Sequence, residues 1–276
     1  MENTQNFGAP TAPVQQVQQE EVPQKSQFPT EEVTLPSKGL LYSQNSPLSK
    51  GIIEMKYMTA KEEDLLTNAN YIKNGTVIDK LLKSLIVTPC DYDQLLIGDK
   101  NAIMVAARIL GYGADYEFKY NHPVTGEEEI VSVDLTTIED KFIDDSLVEK
   151  GKNEFHFTLP ASKKPVTFKL LTHGDDKKIE SELKGLKKLH KGNVPEMTTR
   201  VKHTIISIEG DYEKKSIRQF VDNELLARDA RALRNHIREI QPDIDLKFDF
   251  EGEDGHIEEN VSLPINANFF WPDASI

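Results

Sequence analysis

Residues 99–135, DKNAIMVAARILGYGADYEFKYNHPVTGEEEIVSVDL, combine a helical pattern with a hairpin pattern in one continuous stretch. Apolar residues recur at helical spacing from Ile103 to Leu110, and Gly111 or Gly113 is expected to end that helix. Two strands of alternating apolar and polar residues follow, and a loop that contains Pro and Gly joins them. This order of elements predicts an α+β fold in which helices precede an antiparallel hairpin.

The end of the chain resembles this hairpin. Residues 116–135 and 246–265 both begin with alternating large apolar residues, pass through an acidic loop that contains Gly, and end in a second strand. Both hairpins also follow a long predicted helix. An internal duplication explains the similarity, and so does convergent hairpin chemistry. The pattern predicts two lobes, each with helices followed by an antiparallel hairpin.

Local signals place further elements between the two hairpins and before them. Residues 52–58 alternate like a half-buried strand, and Thr59 with Glu62 forms a capping box at the start of a helix. Asp99 is the predicted N-cap of the helix that precedes the first hairpin. The longest predicted helix runs from about Ile217 to Ile240, with a break near Asp222.

Composition divides the chain into four predicted parts. Residues 1–32 are rich in Gln and Pro and poor in large apolar residues, so we expect a disordered tail, with a tether that folds on a partner as the alternative. Residues 33–140 form an N-terminal α+β domain, residues 141–152 an acidic connector, and residues 153–276 a C-terminal α+β domain.

The charge and the single cysteine exclude several classes of protein. The chain has 276 residues with 33 Lys and Arg against 46 Asp and Glu, a net charge of −13, which disfavours nucleic acid as a partner. Cys90 is the only cysteine, so neither an intramolecular disulfide nor an all-Cys zinc site can form. No apolar run predicts a membrane span, and no secretory signal is recognised. We expect a soluble protein of a reducing compartment.

The sequence contains no pattern typical of catalysis. No two of the seven histidines are three or four residues apart, and there is no G-x-S-x-G motif. Residues 98–101 resemble a phosphate loop only faintly, because the upstream Gly and the Lys-Ser/Thr pair are missing. We therefore expect no enzymatic activity, no metal and no cofactor.

Two kinds of segment are candidates for binding. The aromatic cluster near the end, Phe269, Phe270, Trp271 and Pro272, either packs into the core of this chain or serves as an anchor for a partner. Two basic patches run against the net charge, and each is a solvated helix face or an anion site. They are Lys177, Lys178, Lys184, Lys187, Lys188 and Lys191, and Arg228, Arg231, Arg234 and Arg238.

A series of motifs resembles the baseplate hub subunit and hub assembly protein family of T-even-type contractile-tailed phages. The motifs are LPSKGLLY (35–42), EMKYMTAKEED (54–64), KNGTVIDKLL (73–82), LLIGDKN (95–101), AARILGYG (106–113) and the terminal FFWP (269–272). The resemblance implies a virion protein of the tail baseplate, assembled in the host cytoplasm, that binds other hub proteins, with copies of itself as an open alternative. It makes six motif residues candidate interface residues: Lys38, Tyr57, Lys61, Asp64, Asp99 and Lys100.

The sequence departs from this family in one loop. Members often carry Cys-x-x-Cys in the hairpin after Gly-Tyr-Gly, whereas residues 121–126 here are NHPVTG, so a family zinc site is not expected and the Pro/Gly turn is expected to hold the hairpin alone. A hub component is the predicted function. The alternatives are a transient hub assembly chaperone absent from the virion, an acidic cytoplasmic adaptor unrelated to phages, and an enzyme whose site is assembled from distant residues.

Overall fold

The computed structural model describes residues 29–189, 194–265 and 267–270, and the fold is α+β as predicted. The first half contains, in chain order, β1 (Thr30–Thr34), β2 (Ile52–Lys56), α1 (Ala60–Leu66), α2 (Ala69–Lys73), α3 (Val77–Leu85), α4 (Ile97–Tyr112), β3 (Asp115–Asn121) and β4 (Glu128–Asp134). The second half contains β5 (Asp140–Lys141), β6 (Phe155–Thr158), β7 (Pro165–Phe168), α5 (His173–Leu189), α6 (Glu196–Thr204), β8 (Ile205–Ile208), α7 (Lys214–Asn223), α8 (Ala227–Ile240), β9 (Asp243–Ile244), β10 (Lys247–Glu251), β11 (Ile257–Ser262) and α9 (Ala267–Phe270).

The strands form small antiparallel sheets. β1 pairs with β2, β3 with β4, β5 with β9 and β10 with β11, while β6, β7 and β8 form a three-stranded sheet. β8 was not predicted, since residues 205–208 follow directly on the helix that precedes them. β1 begins at Thr30, which pairs with Lys56, so the predicted boundary of the tail at residue 32 is corrected to before Thr30. Residues 1–28 of that tail lie outside the described residues.

Several helix ends were predicted correctly from local signals. Thr59 and Glu62 form the expected capping box, in which the Glu62 carboxylate accepts a hydrogen bond from the Thr59 N–H (3.1 Å). The predicted break in the long helix is present, because α7 ends at Asn223 and α8 begins at Ala227. The capping box and the helix break each depend on residues a few positions apart, so they can be predicted from the sequence.

The predicted role of Asp99 as an N-cap was wrong. α4 begins at Ile97, so Asp99 lies within its first turn, where a negative charge is still favourable to the helix dipole. Its carboxylate binds Ser37 and Tyr42 instead of capping the backbone. Those partners lie about sixty positions away in the chain, beyond the reach of a local pattern.

The predicted connector, residues 141–152, is part of the folded core. Within and beside it, β5 pairs with β9, Ile143 is buried, and the Ile143 N–H donates to the Pro36 carbonyl (3.1 Å). The acidic composition of the stretch favoured the prediction of a connector. Backbone hydrogen bonds require no particular side chain, so the sequence does not reveal them. One hydrophobic core contains buried residues of both halves.

The two similar hairpins pack against each other through equivalent residues. Phe118 of β3 contacts Phe248 of β10 edge to face (centroids 5.1 Å apart), and Tyr120 contacts Phe250 (4.8 Å). The Tyr120 hydroxyl also donates to the Glu258 carboxylate (3.1 Å). The two hairpins, about 130 residues apart in the chain, therefore share an aromatic interface.

His122 holds the loop of the first hairpin, so the expectation that the Pro/Gly turn holds it alone was wrong. The ring Nδ1 accepts hydrogen bonds from the N–H groups of Val124 (3.2 Å) and Thr125 (3.1 Å). Nε2 lies 3.2 Å from the Asp254 carboxylate in the loop of the other hairpin. The imidazole is buried, and Gly252 packs so closely on it that a Cβ there would lie 2.7 Å from Nε2.

We predict that His122→Ala lowers the free energy of unfolding by about 2–3 kcal/mol, because two loop N–H groups lose their acceptor and a buried ring is removed. Urea denaturation measures the change. His156→Ala is the matched control, since His156 is exposed on β6, and we expect it to cost less than about 1 kcal/mol. Equal stability of the His122 variant and the wild type would contradict the assigned role.

Candidate interaction surface

A buried carboxylate organises the turn that contains the first family motif. Asp99 has no exposed surface, and it accepts hydrogen bonds from the Ser37 N–H (2.9 Å), the Ser37 hydroxyl (2.6 Å) and the Tyr42 hydroxyl (2.5 Å). The Tyr42 oxygen in turn accepts the Leu96 N–H (2.9 Å). Burial raises the pKa of Asp99, and burial together with Asp99 raises the pKa of Tyr42 well above its usual value. As a buried core residue, Asp99 cannot be the interface residue that was predicted.

Lys38 occupies the tip of this turn in a strained backbone conformation. Its φ is +50°, that of Gly39 is +74°, and the Leu40 N–H donates to the Ser37 carbonyl (3.0 Å), as in a type I′ turn. Left-handed backbone costs a residue other than Gly about 1 kcal/mol or more. Gly or Asn normally occupies such positions, so a lysine here is unusual.

Gly39 has a clear physical requirement. A Cβ on it would lie 2.5 Å from the Gly51 nitrogen and 2.6 Å from the Leu48 carbonyl oxygen, closer than any side chain tolerates. A Cβ on Gly51 would likewise lie 2.6 Å from the Lys38 carbonyl oxygen. The two glycines fix the turn against the chain that leads into β2.

The Lys38 side chain reaches the segment that was predicted to be a connector. Its Nζ lies 2.8 Å from the Asp145 carboxylate and 5.6 Å from the centre of the Phe142 ring. Phe142 is 46% exposed and Leu147 is 49% exposed, which is high for large apolar side chains. We call Lys38, Phe142, Asp145 and Leu147 the Lys38 surface. Its last three residues lie more than a hundred positions from Lys38 in the chain, so no local pattern connects them with the turn.

Three other candidate residues lie at the surface without joining this group. Tyr57 is 36% exposed and donates to the Glu31 carboxylate (2.9 Å) across the β1–β2 pair. Lys61 and Asp64 are exposed on α1, and within the described part of the chain neither side chain has a hydrogen bond or ion pair. They are available to a partner.

Lys100, the remaining motif candidate, belongs to a polar cluster that joins three helices. Its Nζ contacts the Asp79 carboxylate (2.8 Å) of α3 and the His173 Nδ1 (3.2 Å) of α5. Tyr92 donates to Asp79 (3.1 Å) and packs edge-on against the His173 ring. Burial, aided by the Lys100 charge, lowers the pKa of His173. These groups are engaged with one another, so the cluster ties the two halves together.

The C-terminal aromatics divide into two groups. Phe269 and Phe270 are buried, at 0% and 1% exposure, and Phe269 packs edge to face on Tyr116 of β3 (5.0 Å). The Tyr116 hydroxyl donates to the Pro264 carbonyl (2.8 Å), which holds the terminal segment against β3. For these two residues the core alternative is correct, and Tyr116 of the first hairpin is a partner of Phe269. Trp271 and Pro272 lie outside the described residues.

The described lysines of the first basic patch lie on α5, and the second basic patch lies on α8. Lys177 and Lys184 of the first patch pair with Asp93 and Glu180, while Lys191 lies outside the described residues. Across the described ranges, no three His, Cys, Asp or Glu residues are grouped as metal ligands would be. None of the helices in those ranges is long and apolar enough to cross a membrane.

Comparison with known proteins points to a phage family. A family model described as T4 bacteriophage base plate protein matches residues 30–271. No curated protein and no solved structure shows significant similarity to the chain. The match agrees with the resemblance found in the motifs at the level of the baseplate, and its description does not mention the hub. Because this is a phage family, the alternative of an adaptor unrelated to phages is dropped.

Proposed function

Since the chain belongs to the T4 bacteriophage base plate protein family, we propose that it is a component of the baseplate hub that acts in tail assembly by binding other hub proteins. The binding surface in this proposal is the Lys38 surface. The proposal includes no catalytic activity, because the polar cluster around His173 is engaged in mutual contacts that join helices.

The observation that supports a binding role is that a lysine occupies a strained position beside the exposed ring of Phe142. A fold that only needed the turn would be served as well by Gly, which adopts φ near +50° without strain. The exposed ion pair with Asp145 is worth at most about 1 kcal/mol and does not require a lysine at a strained position. Aromatic side chains are enriched at protein interfaces, and the exposed ring of Phe142 lies beside the Lys38 ammonium group.

We predict that Lys38→Gly separates folding from binding. The variant should stay within about 1 kcal/mol of the wild-type stability, because relief of strain offsets the greater freedom of the unfolded chain. Its affinity for hub proteins in a pull-down or calorimetric titration should fall about tenfold or more. Lys163→Gly is the matched control, since Lys163 is also exposed and has a φ of +60° in the β6–β7 turn.

The outcome that would contradict the binding role is a Lys38→Gly variant that binds as well as Lys163→Gly. A variant that loses both stability and binding would show that Lys38 serves the fold. Mass spectrometry of purified virions distinguishes the two forms of the proposal. A hub component is present in mature particles, whereas a transient assembly chaperone is required for tail formation but absent from them.

A further inference from the structure

A basic cavity lies between β7, β8 and helices α5, α6 and α7. It has a volume of about 410 Å³, and five cations line it: Lys169, Lys178, Lys202, Lys214 and Arg218. Asp175 is the one carboxylate in its lining. In a chain of net charge −13, this concentration of positive charge is unexpected. The two basic stretches singled out in the sequence contribute only Lys178 to it.

The neighbouring carboxylates neutralise the cavity only in part. Lys169 pairs with Asp175 (2.6 Å), and Lys202 pairs with Asp222 (2.6 Å). Arg218 binds Glu182 through two hydrogen bonds of 2.7 Å, which helps lower the pKa of Glu182 to about 2. Lys178 lies 3.7 Å from the already paired Asp175, and Lys214 has no partner among the described residues. The cavity therefore keeps a net positive charge, which Lys178 and Lys214 carry.

The cavity also has an apolar floor. Ile205 and Ile217 are buried beneath it, and Ile206 lines it beside them. Tyr212 stands at the cavity with 64% of its surface exposed. Cations above an aliphatic floor suit an occupant that carries carboxylates next to an aliphatic side chain.

The hairpin loops of the same chain have that chemistry. Eight carboxylates lie in and beside the two loops, which contact each other: Glu127, Glu128, Glu129, Glu251, Glu253, Asp254, Glu258 and Glu259. Ile257, which pairs with Glu251 across the second hairpin, is 62% exposed. We call this region the acidic hairpin end. It offers several carboxylates around an exposed aliphatic residue.

We propose that the acidic hairpin end of one copy of the chain docks into the basic cavity of a second copy. The contact is heterologous, since it joins two different surfaces, so it leaves one cavity and one hairpin end free for further copies. The net charge of −13 disfavours any approach that brings acidic surfaces together, whereas this pairing joins surfaces of opposite charge. The inference does not rest on the hub role, because it concerns contact between identical chains.

Charge reversal tests the proposal with the full-length chain. Lys178→Glu with Lys214→Glu reverses the cavity, and Glu251→Lys with Glu253→Lys reverses the hairpin end; all four side chains are exposed. Sedimentation velocity over a range of concentrations, at about 0.1 M and about 0.5 M salt, measures self-association. We expect the wild type to associate at the lower salt and to dissociate at the higher, and each double variant alone to be monomeric.

The mixture of the two double variants is the decisive sample. The cavity variant keeps the original acidic hairpin end, and the hairpin variant keeps the original basic cavity, so these two surfaces can still pair. The reversed cavity and the reversed hairpin end also have opposite charges. An equimolar mixture should therefore recover association to within about threefold of the wild type. Lys187→Glu with Lys188→Glu is the matched control, since these exposed residues lie on α5 outside the cavity.

Three results would overturn the proposal: a wild type that is monomeric at all concentrations, a mixture that stays monomeric, or a control variant that dissociates as much as the cavity variant. None of them bears on the hub role, which depends on binding to other hub proteins and on presence in virions. Circular dichroism melting of every variant shows whether a loss of association comes from a loss of fold.

Discussion

Replacement of Asp99 by alanine should lower the free energy of unfolding by about 3–5 kcal/mol, which is a large share of the 5–15 kcal/mol typical of a folded protein. The substitution leaves two hydroxyls and one backbone N–H, from Ser37 and Tyr42, buried without their acceptor. Urea denaturation followed by circular dichroism measures the loss. Because the same carboxylate holds the Lys38 turn, binding to hub proteins should fall as well.

Asp99→Asn is the control for this prediction and tests the charge separately. The amide keeps the size of the side chain and cannot ionise. Burial raises the pKa of Asp99 in the folded state, so the folded protein holds the proton more tightly than the unfolded chain does. The contribution of this carboxyl group to the free energy of unfolding is therefore fully present below the usual Asp pKa of about 4. It is lost as the pH rises through the raised pKa. The stability of the wild type relative to Asp99→Asn should therefore decrease from pH 4 towards neutrality. A difference that is constant with pH would contradict the raised pKa.

Phe269→Ala should cost about 3–5 kcal/mol, since a fully buried ring is removed from its contacts with Tyr116 and Phe270. Phe270→Ala should cost a similar amount. Both effects follow from cavity formation, so thermal and urea melts should show them without any partner present. Wild-type stability in either variant would mean that α9 does not pack in the core of the free protein.

Two truncations then separate the core role from the anchor role of the terminal aromatics. Removal of residues 269–276 takes away both buried rings and should destabilise the protein strongly. Removal of residues 271–276 leaves the rings in place, so its melting temperature should stay near that of the wild type. If the shorter truncation keeps its melting temperature and fails to bind hub proteins, residues 271–276 contain an anchor for a partner, and Trp271→Ala then tests whether the indole ring is that anchor.

Sequence patterns were sufficient where the cause is local. The capping box of Thr59 and Glu62, the hairpin β3–β4 and the break before α8 each depend on residues within one or two turns or strands. The Lys38 surface could not be predicted in the same way. Lys38 and Asp145 are over a hundred residues apart, and the resemblance to a phage family identified the motif without its partners.

Gly98 shows the same limit in a motif that suggested different chemistry. Residues 98–101, which begin with this glycine, show a faint resemblance to a phosphate loop. A Cβ on Gly98 would lie 1.9 Å from the Pro242 carbonyl oxygen, so this glycine lets the chain before β9 approach α4. In the sequence, the glycine at position 98 is the one sign that another stretch of backbone comes close. It does not show which stretch that is.

The pairing of the two hairpins has a consequence for protein synthesis. The aromatic face of β3, including Phe118 and Tyr120, is covered by Phe248 and Phe250, which the ribosome makes much later. At usual elongation rates the delay is roughly ten seconds, during which the nascent chain carries an uncovered aromatic face. Long-range pairing of this kind also slows folding. The first hairpin thus reaches its final environment only after Phe248 and Phe250 have been translated, and residues 33–140 expressed alone should aggregate.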